Sequence, residues 1–247
     1  MNQKKMYDKL QYTAVILTFV VAIAYALLFT TNNPRYDLIF ASKDLLLNSY
    51  YMTIWISLLT LIGALLLGFL LFVMLRSSIT VLRAIASVFS ELIMGTPLLV
   101  MIFLVVYPLG QFFSYNNKLV LGIIAMILYN SPYIANAYAT TAAVVTTEQY
   151  IVMDLYHFKW YQKYIYVILP QMVKPFIPSL VNNLSSVIKS SALLNIVAIS
   201  EITYVTTVIS NRNYAVIEGY YVMWLLYLIV TIPLSLLAKM IGKQVNS

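Results

Sequence analysis

The chain has 247 residues, 62% of them apolar and only 9% charged, and its formal net charge is +7. Soluble globular domains carry about 25% charged residues, so this composition excludes a soluble fold and predicts an all-α membrane protein. Cysteine is absent and histidine occurs once, which excludes disulfides, cysteine-based metal sites and multi-histidine sites.

Transmembrane segments are predicted where about 20 mostly apolar residues follow one another. Six segments meet this length within a few residues, and they predict a polytopic bundle of about six spans. The first follows Lys4 and Lys5, as in a signal peptide, but no small-residue cleavage site follows it, so we interpret it as a retained helix. In chain order the segments are Tyr12–Thr30, Tyr51–Leu75, Pro97–Phe113, Leu119–Ala143, Leu180–Ile199 and Tyr220–Met240.

The distribution of basic residues predicts the orientation of these spans. With the N-terminus inside, ten of the fifteen Lys and Arg residues fall on the cytoplasmic side, four fall outside, and Lys189 lies within a span. The positive-inside rule therefore predicts a multi-pass cell-membrane protein with both termini cytoplasmic. It also explains the positive net charge without a nucleic-acid partner.

The third predicted span opens at a break formed by Gly95, Thr96 and Pro97. Thr96 is expected to be the N-cap of the helix and Pro97 its first helical residue. The backbone N–H groups at such a terminus attract carboxylates, so the break offers a place for an anionic group as well as the start of a helix.

The largest stretch on the predicted cytoplasmic side is Thr146–Pro178. Residues 148–163 are good helix formers with large apolar and aromatic side chains, and they predict a helix over about 146–163. Its apolar face would be buried in the headgroup layer or in a groove on a soluble partner, and composition alone does not choose between them. Three prolines are expected to interrupt the return to the membrane, and these are Pro170, Pro175 and Pro178.

Polar residues in or near the spans are further candidates. Lys189 either snorkels to the cytoplasmic interface or faces a cavity or partner. Asn136, Ser190 and Ser191 either hydrogen-bond between helices or line a pathway, and Glu201 is expected to be a solvated cap. The sequence has no paired carboxylates, nucleophile with a base, metal-ligand set or P-loop. We therefore expect no enzymatic activity and no cofactor on this chain.

Four blocks of sequence carry a resemblance to a known family. They are "ELIMGTPLLV" (91–100), "SPYIAN" (131–136), Gln149 with the later "VILP" (167–170), and "IKSSALLNIVAISEI" (188–202). In this order and spacing they resemble motifs of the permeases of binding-protein-dependent ABC importers, specifically the polar amino acid permeases. The third block resembles the ends of the Glu-Ala-Ala loop, which forms the coupling helix of that family.

The resemblance implies a type I ABC importer permease. Residues 1–48 would be an N-terminal tail, an extra helix and an external loop, and residues 49–247 would be the permease core of five spans. The helix at about 146–163 would dock on separate ATPase subunits, which carry ATP and Mg²⁺. An extracytoplasmic binding protein would deliver a polar amino acid or related small solute. A second permease subunit is also implied, because two ATPases need two coupling helices, and a hetero-dimer is favoured over a homo-dimer.

The resemblance also implies two sets of site residues. The ATPase-coupling set is Gln149, Tyr150, Ile151, Met153, Asp154, Tyr156, His157 and Phe158, and the substrate-path set is Gly95, Thr96, Pro97, Asn136, Lys189, Ser190 and Ser191. The chain departs from the family motifs at several positions. The Glu-Ala-Ala triplet is Ile151-Val152-Met153, the following Gly is His157, and charged residues are replaced at Met94, Asn136 and Ala139. The missing Glu-Ala-Ala triplet motivates an alternative hypothesis, a non-transporting membrane scaffold or sensor subunit.

Overall fold

A computed structural model of the chain describes residues 3–29 and 34–245, and within these ranges all regular secondary structure is helical. Two π-helical segments (Val105–Leu109 and Lys163–Ile168) and one 3₁₀ segment (Ser191–Val197) connect neighbouring helices. The α-helices are α1 (Gln3–Phe29), α2 (Tyr36–Phe40), α3 (Lys43–Leu75), α4 (Thr80–Met94), α5 (Leu98–Leu104), α6 (Gly110–Phe112), α7 (Lys118–Ala142), α8 (Thr147–Leu155), α9 (Trp160–Gln162), α10 (Leu169–Ser190), α11 (Ile202–Arg212) and α12 (Val216–Val245).

The predicted polytopic helical bundle is confirmed. Four continuous helical stretches are long and apolar enough to cross a membrane, namely Lys43–Leu75, Lys118–Ala142, Trp160–Val197 and Val216–Gly242. Thr80–Met94 and Leu98–Phe112 form a pair bent by 108°, which is a broken span or a re-entrant loop, and the number of crossings is five if the pair is one span. Length and apolar composition decide these assignments, as they did in the sequence.

The first predicted span coincides with α1. Its apolar stretch within the described residues is Leu10–Tyr25, which is shorter than a full span. Thr30, the last residue of the predicted span, lies outside the described residues. That this helix crosses the membrane stays a prediction, and so does the division of the chain at residue 48.

The third predicted span is only one arm of the bent pair. The helix before the break, α4, was not predicted, because polar residues such as Arg83 and Glu91 lower its apolar content. It is amphipathic, and Ala86 and Ile93 on its apolar face are buried. An amphipathic helix of this kind packs its apolar face against the core of the bundle.

The segment predicted to be cytoplasmic is divided differently from the prediction. The helix expected over about 146–163 ends at Leu155, and residues 160–163 belong to the next helical stretch. The three prolines do not interrupt the Trp160–Val197 helical stretch, contrary to the prediction. Pro170 follows the π-helical turn at the start of α10, and Pro175 and Pro178 lie inside α10. A π-helical turn changes the local hydrogen-bond register, which accommodates the missing N–H of Pro170.

Two hydrophobic clusters position the functional surfaces. The larger joins α3, α5 and α7 through the fully buried Ile56, Ile102 and Met126. The smaller lies at the end of the bundle that carries α8, and it contains Phe72 and Met153. Since α8 contributes to the second cluster, it is packed on the bundle and does not extend away from it.

Candidate functional site

The N-terminus of α8 is fixed by a reciprocal cap. The backbone N–H of Thr146 donates to Oε1 of Gln149 at 3.2 Å, and Gln149 is the third residue of the helix. This is the Thr-x-x-Gln capping box. A hydrogen bond from the Thr146 side chain lowers the pKa of Glu148, which keeps a negative charge at the positive end of the helix. Gln149, expected to contact an ATPase, therefore has a clear role within α8 itself.

The inner face of α8 is anchored to the bundle. Met153 is only 3% exposed and packs among buried residues of α3, α7 and α10. The Tyr150 hydroxyl accepts a hydrogen bond from Nη1 of Arg76 at 3.1 Å, and the Arg76 guanidinium lies 5.1 Å from the centre of the Phe72 ring. Tyr150 and Met153 thus face the bundle, and the outward surface of α8 is formed by other residues.

The C-terminus of α8 explains one departure from the family motif. His157 has φ of 54°, in the left-handed region. Its N–H donates to the Asp154 carbonyl at 2.9 Å, and the N–H of Phe158 donates to the Met153 carbonyl at 2.9 Å. These two bonds form a Schellman motif, in which the left-handed residue is most often glycine. The resembled family has glycine at this position, and the backbone conformation found here is one that favours glycine. His157 adopts this left-handed conformation and so keeps the turn.

The outer face of α8 presents contiguous apolar side chains. We call this surface the outer patch, and it comprises Ile151, Val152, Leu155 and Tyr156. Leu155 and Tyr156 are 72% and 75% exposed. Single exposed apolar residues are common, but a contiguous patch marks an interaction surface. The predicted coupling set missed Val152 and Leu155, although the spacing i, i+1, i+4 and i+5 indicates one helix face.

An ion pair connects α8 to the next helical stretch. Nζ of Lys163 contacts Oδ1 of Asp154, whose side chain is 68% exposed. An exposed pair of this kind contributes little to stability. Its importance is positional, because it joins the end of α8 to the first turns of the Trp160–Val197 helix across the His157 turn.

A polar groove runs between α10 and α12. It has a volume of about 400 Å³, and its α10 side is formed by Asn182, Ser185, Ser186 and Lys189. Their spacing of i, i+3, i+4 and i+7 places all four on one helix face. Thr231 and Ser235 contribute from α12. Only Lys189 of this group was predicted, and the helical spacing of the others is the signal that would have found them.

Lys189 lies at the opposite end of its helix from α8. It is in the last turn of α10, about 40 Å along the helix from Trp160 at 1.5 Å per residue. The helix begins much earlier than predicted, so Lys189 lies far from its first turn, and that Lys189 snorkels to the cytoplasmic interface stays a prediction. Its exposed side chain lines the groove.

The other predicted path residues lie elsewhere. Thr96 does not cap α5, because its hydroxyl donates back to the Leu92 carbonyl at 2.7 Å and the N-cap is Pro97, with ψ of 139°. With Gly95 at the end of α4, these residues form the 108° bend. Asn136 is exposed on α7, and neither it nor the bend lines the α10–α12 groove.

Ser190 and Ser191 each donate a hydrogen bond to a backbone carbonyl three residues earlier. The Ser190 hydroxyl donates to the Val187 carbonyl at 3.0 Å, and that of Ser191 donates to the Ile188 carbonyl at 2.8 Å. Ser191 is fully buried. These bonds satisfy the hydroxyl donors locally, and the Ser191 hydroxyl also interacts with the Tyr227 hydroxyl of α12.

Glu201 caps a helix as expected, but it is buried and not solvated. Its carboxylate accepts the N–H of Tyr204 at 2.7 Å and that of Thr203 at 2.9 Å. It also accepts the Tyr227 hydroxyl at 3.0 Å, and Glu201 has no exposed surface. The carboxylate thus joins the start of α11 to α12. Its burial depends on Tyr227, 26 residues later in the sequence, which is why local sequence did not predict it.

The sequence is similar to a family model and to known permease proteins. Residues 64–247 match the family model described as "Binding-protein-dependent transport system inner membrane component". The chain is 27% identical over 210 residues to the probable glutamine ABC transporter permease protein GlnM of Bacillus subtilis, covering 85% of this chain and 97% of that protein. It is 26% identical over 215 residues to the glutamine transport system permease protein GlnP of Escherichia coli K12, covering 84% and 96%.

Two solved structures share the fold. A crystal structure of an amino acid ABC transporter with histidines aligns with a TM-score of 0.78 at 24% identity, covering 86% of this chain and 99% of that one. The inward-facing MetNI methionine ABC transporter aligns with a TM-score of 0.68 at 15% identity, covering 81% and 96%. At these identities the likeness establishes the fold of the helical core.

Proposed function

The chain belongs to the family of binding-protein-dependent transport system inner membrane components, and we propose that it is the permease subunit of an ATP-driven importer for a polar amino acid or related small solute. Two relatives named for glutamine support this solute class. ATP and Mg²⁺ would be bound by separate ATPase subunits. An extracytoplasmic binding protein would deliver the solute to the side opposite α8.

The outer patch is the observation that carries this proposal. Its four exposed apolar side chains stand on a helix whose opposite face is anchored in the core. An amphipathic helix that presents its apolar face in this way fits a hydrophobic groove on a partner protein. We assign that groove to the ATPase, so α8 is the coupling helix and its side of the membrane is cytoplasmic.

The contacts behind α8 suit it to transmit motion. Met153 and the Arg76–Tyr150 bond attach it to the bundle, while the Schellman turn and the Asp154–Lys163 pair attach it to the Trp160–Val197 helix. Displacement of α8 by a docked ATPase would therefore move this long helix as well. Because the same helix carries Lys189 and the polar groove, movement of α8 would reach the proposed solute path.

The α10–α12 groove is the proposed contribution to that path. Hydroxyl, amide and ammonium groups on a membrane-spanning surface are costly to expose to lipid, so we infer that a second permease subunit covers the groove. Among the described residues that line the groove, Lys189 is the charged one, and its ammonium would attract the carboxylate of an amino acid. A path between two permeases also supplies the two coupling helices that two ATPases require.

The experiment that tests docking uses two pairs of substitutions. Leu155→Asp with Tyr156→Asp places charges in the outer patch, and we expect the ATPase to be lost when the tagged chain is purified from membranes. The matched control is Phe112→Asp with Phe113→Asp, since these neighbours are also exposed, at 81% and 67%, but lie away from α8. ATPase retention by the outer-patch variant would contradict the proposed docking surface.

The non-transporting scaffold hypothesis predicts a different result. It expects the ATPase to co-purify with the chain, but it expects no solute uptake in proteoliposomes that contain the binding protein, the ATPase and internal ATP. The retention of the glycine-type turn at His157 supports a working coupling helix and so favours transport.

A further inference from the structure

A cavity behind α8 lies apart from the proposed docking surface and solute path. It opens between the turn that joins α3 to α4 and the turn that joins α8 to α9, and its volume is about 580 Å³. Pockets that hold small molecules have volumes of roughly 300–1,000 Å³. We call it the headgroup cleft, and its polar wall is formed by Arg76, Ser77, Ser78, Tyr150 and Lys163.

The charge of the headgroup cleft is positive. Arg76 and Lys163 line it, and no acidic side chain among the described residues does. Nη1 of Arg83 donates to the Ser77 carbonyl at 3.2 Å, so a third cation lies against its wall. The nearby acid is Asp154, which pairs with Lys163. Arg76 donates one bond to Tyr150, and because a guanidinium has five N–H donors, others can bind an anion.

The start of α4 adds to this positive potential. The α4 helix begins at Thr80, beside the lining residues Ser78 and Ile79. Among the described residues no side chain caps its first turn, because the N-cap residue is Ile79; the Ser77 hydroxyl accepts the N–H of Ile79 at 3.1 Å. Free N–H groups at a helix N-terminus favour phosphate. The headgroup cleft therefore receives positive potential from the Arg76 and Lys163 side chains and from the N-terminus of α4.

The remaining walls of the headgroup cleft are apolar. Ile79 and Trp160 line it and are 57% and 67% exposed, and Val73 and Ile168 contribute from the ends of two membrane-crossing helices. Tryptophan is enriched at membrane interfaces, where its ring sits at headgroup level. A small inorganic anion would leave these apolar walls uncovered, whereas a lipid would cover them with its glycerol and acyl chains.

We propose that the headgroup cleft binds an anionic phospholipid from the leaflet on the α8 side. Its phosphodiester contacts Arg76 and Lys163, and its acyl chain lies against Ile79 and Trp160. That this leaflet is cytoplasmic rests on the proposed function, but lipid binding itself does not. Tyr150 and Lys163 belong to the contacts that attach α8 to the bundle, so a bound lipid stabilises this attachment. Anionic lipid therefore regulates how α8 responds to its partner.

The test uses the position of Trp160 at the rim of the cleft. The chain has three tryptophans, so Trp55→Phe with Trp224→Phe leaves Trp160 as the sole indole. The full chain is placed in nanodiscs of phosphatidylcholine with a small fraction of brominated phosphatidylglycerol or brominated phosphatidylcholine bearing identical chains. We expect stronger quenching of Trp160 by the brominated phosphatidylglycerol. Each cation near a membrane surface is worth roughly a five-fold change in affinity for anionic lipid.

Charge variants decide whether the headgroup cleft causes this preference. Arg76→Gln with Lys163→Gln should lower the apparent affinity for phosphatidylglycerol by roughly ten- to thirty-fold. The conservative pair Arg76→Lys with Lys163→Arg should retain it, which guards against misfolding. Lys174→Gln with Lys239→Gln removes equal charge outside the cleft and should have little effect.

Three results would overturn the proposal. The first is equal quenching by the two brominated lipids, which would mean that Trp160 simply faces the membrane. The second is a preference that survives the double glutamine substitution. The third is its loss on addition of millimolar inorganic phosphate, which would identify a free-phosphate site. None of these depends on ATPase docking, so failure here is distinguishable from failure of the proposed function.

Discussion

His157→Gly is expected to stabilise the C-terminus of α8. His157 stands at the left-handed position of the Schellman motif, with φ of 54°. A residue with a Cβ in this conformation costs about 1–2 kcal/mol, although histidine tolerates it better than most. Glycine avoids this cost, but its greater conformational freedom in the unfolded state lowers the stability of the folded turn by about 0.5–1 kcal/mol. The net gain expected is about 0.5–1 kcal/mol, in favour of the folded turn.

Hydrogen exchange measures this gain at the turn. The amide of Phe158 donates to the Met153 carbonyl at 2.9 Å, so it exchanges only when the end of α8 opens. A gain of this size should slow its exchange by roughly two- to five-fold. The measurement is hydrogen–deuterium exchange mass spectrometry on peptides that cover α8, in the full chain purified in detergent.

His157→Ala separates the backbone effect from the loss of the imidazole. Alanine keeps the Cβ that makes the left-handed conformation costly, so it should not slow exchange. Equal protection by alanine and glycine would refute the backbone argument, because it would assign the effect to the histidine ring. Faster exchange in the glycine variant would show that φ of His157 is not costly.

Three further substitutions are expected to lower the thermal stability of the detergent-solubilised chain. Met153→Ala leaves a cavity behind α8 and should cost about 2–5 kcal/mol. Gly68→Ala places a Cβ at 2.9 Å from the Ser131 carbonyl oxygen of α7, and separating the two helices should cost about 1–3 kcal/mol. Glu201→Gln turns an amide donor toward backbone N–H groups and should cost about 1–3 kcal/mol, more than Tyr227→Phe at about 1 kcal/mol.

Each of these has a matched control at an exposed or open position. Met94→Ala changes a methionine that is 45% exposed, and a loss equal to that of Met153→Ala would contradict the anchoring role. Gly242→Ala meets Pro178 at an ordinary 3.9 Å and should be tolerated. Glu91→Gln alters an exposed carboxylate, so a loss of stability comparable to that of Glu201→Gln would contradict the argument that burial of Glu201 makes it important.

The sequence predicted the membrane-crossing helices well because the bilayer imposes a length and an apolar composition that are visible locally. It missed α4, whose one polar face lowers its average hydropathy, and it misplaced the start of the fifth predicted span, which begins at Trp160 and not at Leu180. Prolines normally end helices, but here the π-helical segment Lys163–Ile168 precedes Pro170. No residue pattern in the sequence predicts this π-helical segment.

The candidate site was predicted less completely. The position of α8 followed from the resemblance, since Gln149 and Val167–Pro170 have the family spacing. Which face of α8 is exposed depends on packing against α3 and α7, and this placed Met153 inside and Leu155 outside. Asn182, Ser185 and Ser186 carry a helical spacing that the sequence does show, but their significance requires α12 on the other side of the groove.

Site-specific cross-linking at the outer patch tests the central claim most directly. Since the chain has no cysteine, Leu155→Cys introduces a unique thiol. In membranes that contain the intact transporter, we predict that this thiol forms a cross-link to the ATPase and resists membrane-impermeant maleimide added outside the cell. Labelling from outside, or a thiol that contacts only lipid while the ATPase is present, would contradict the assignment of α8 as the coupling helix.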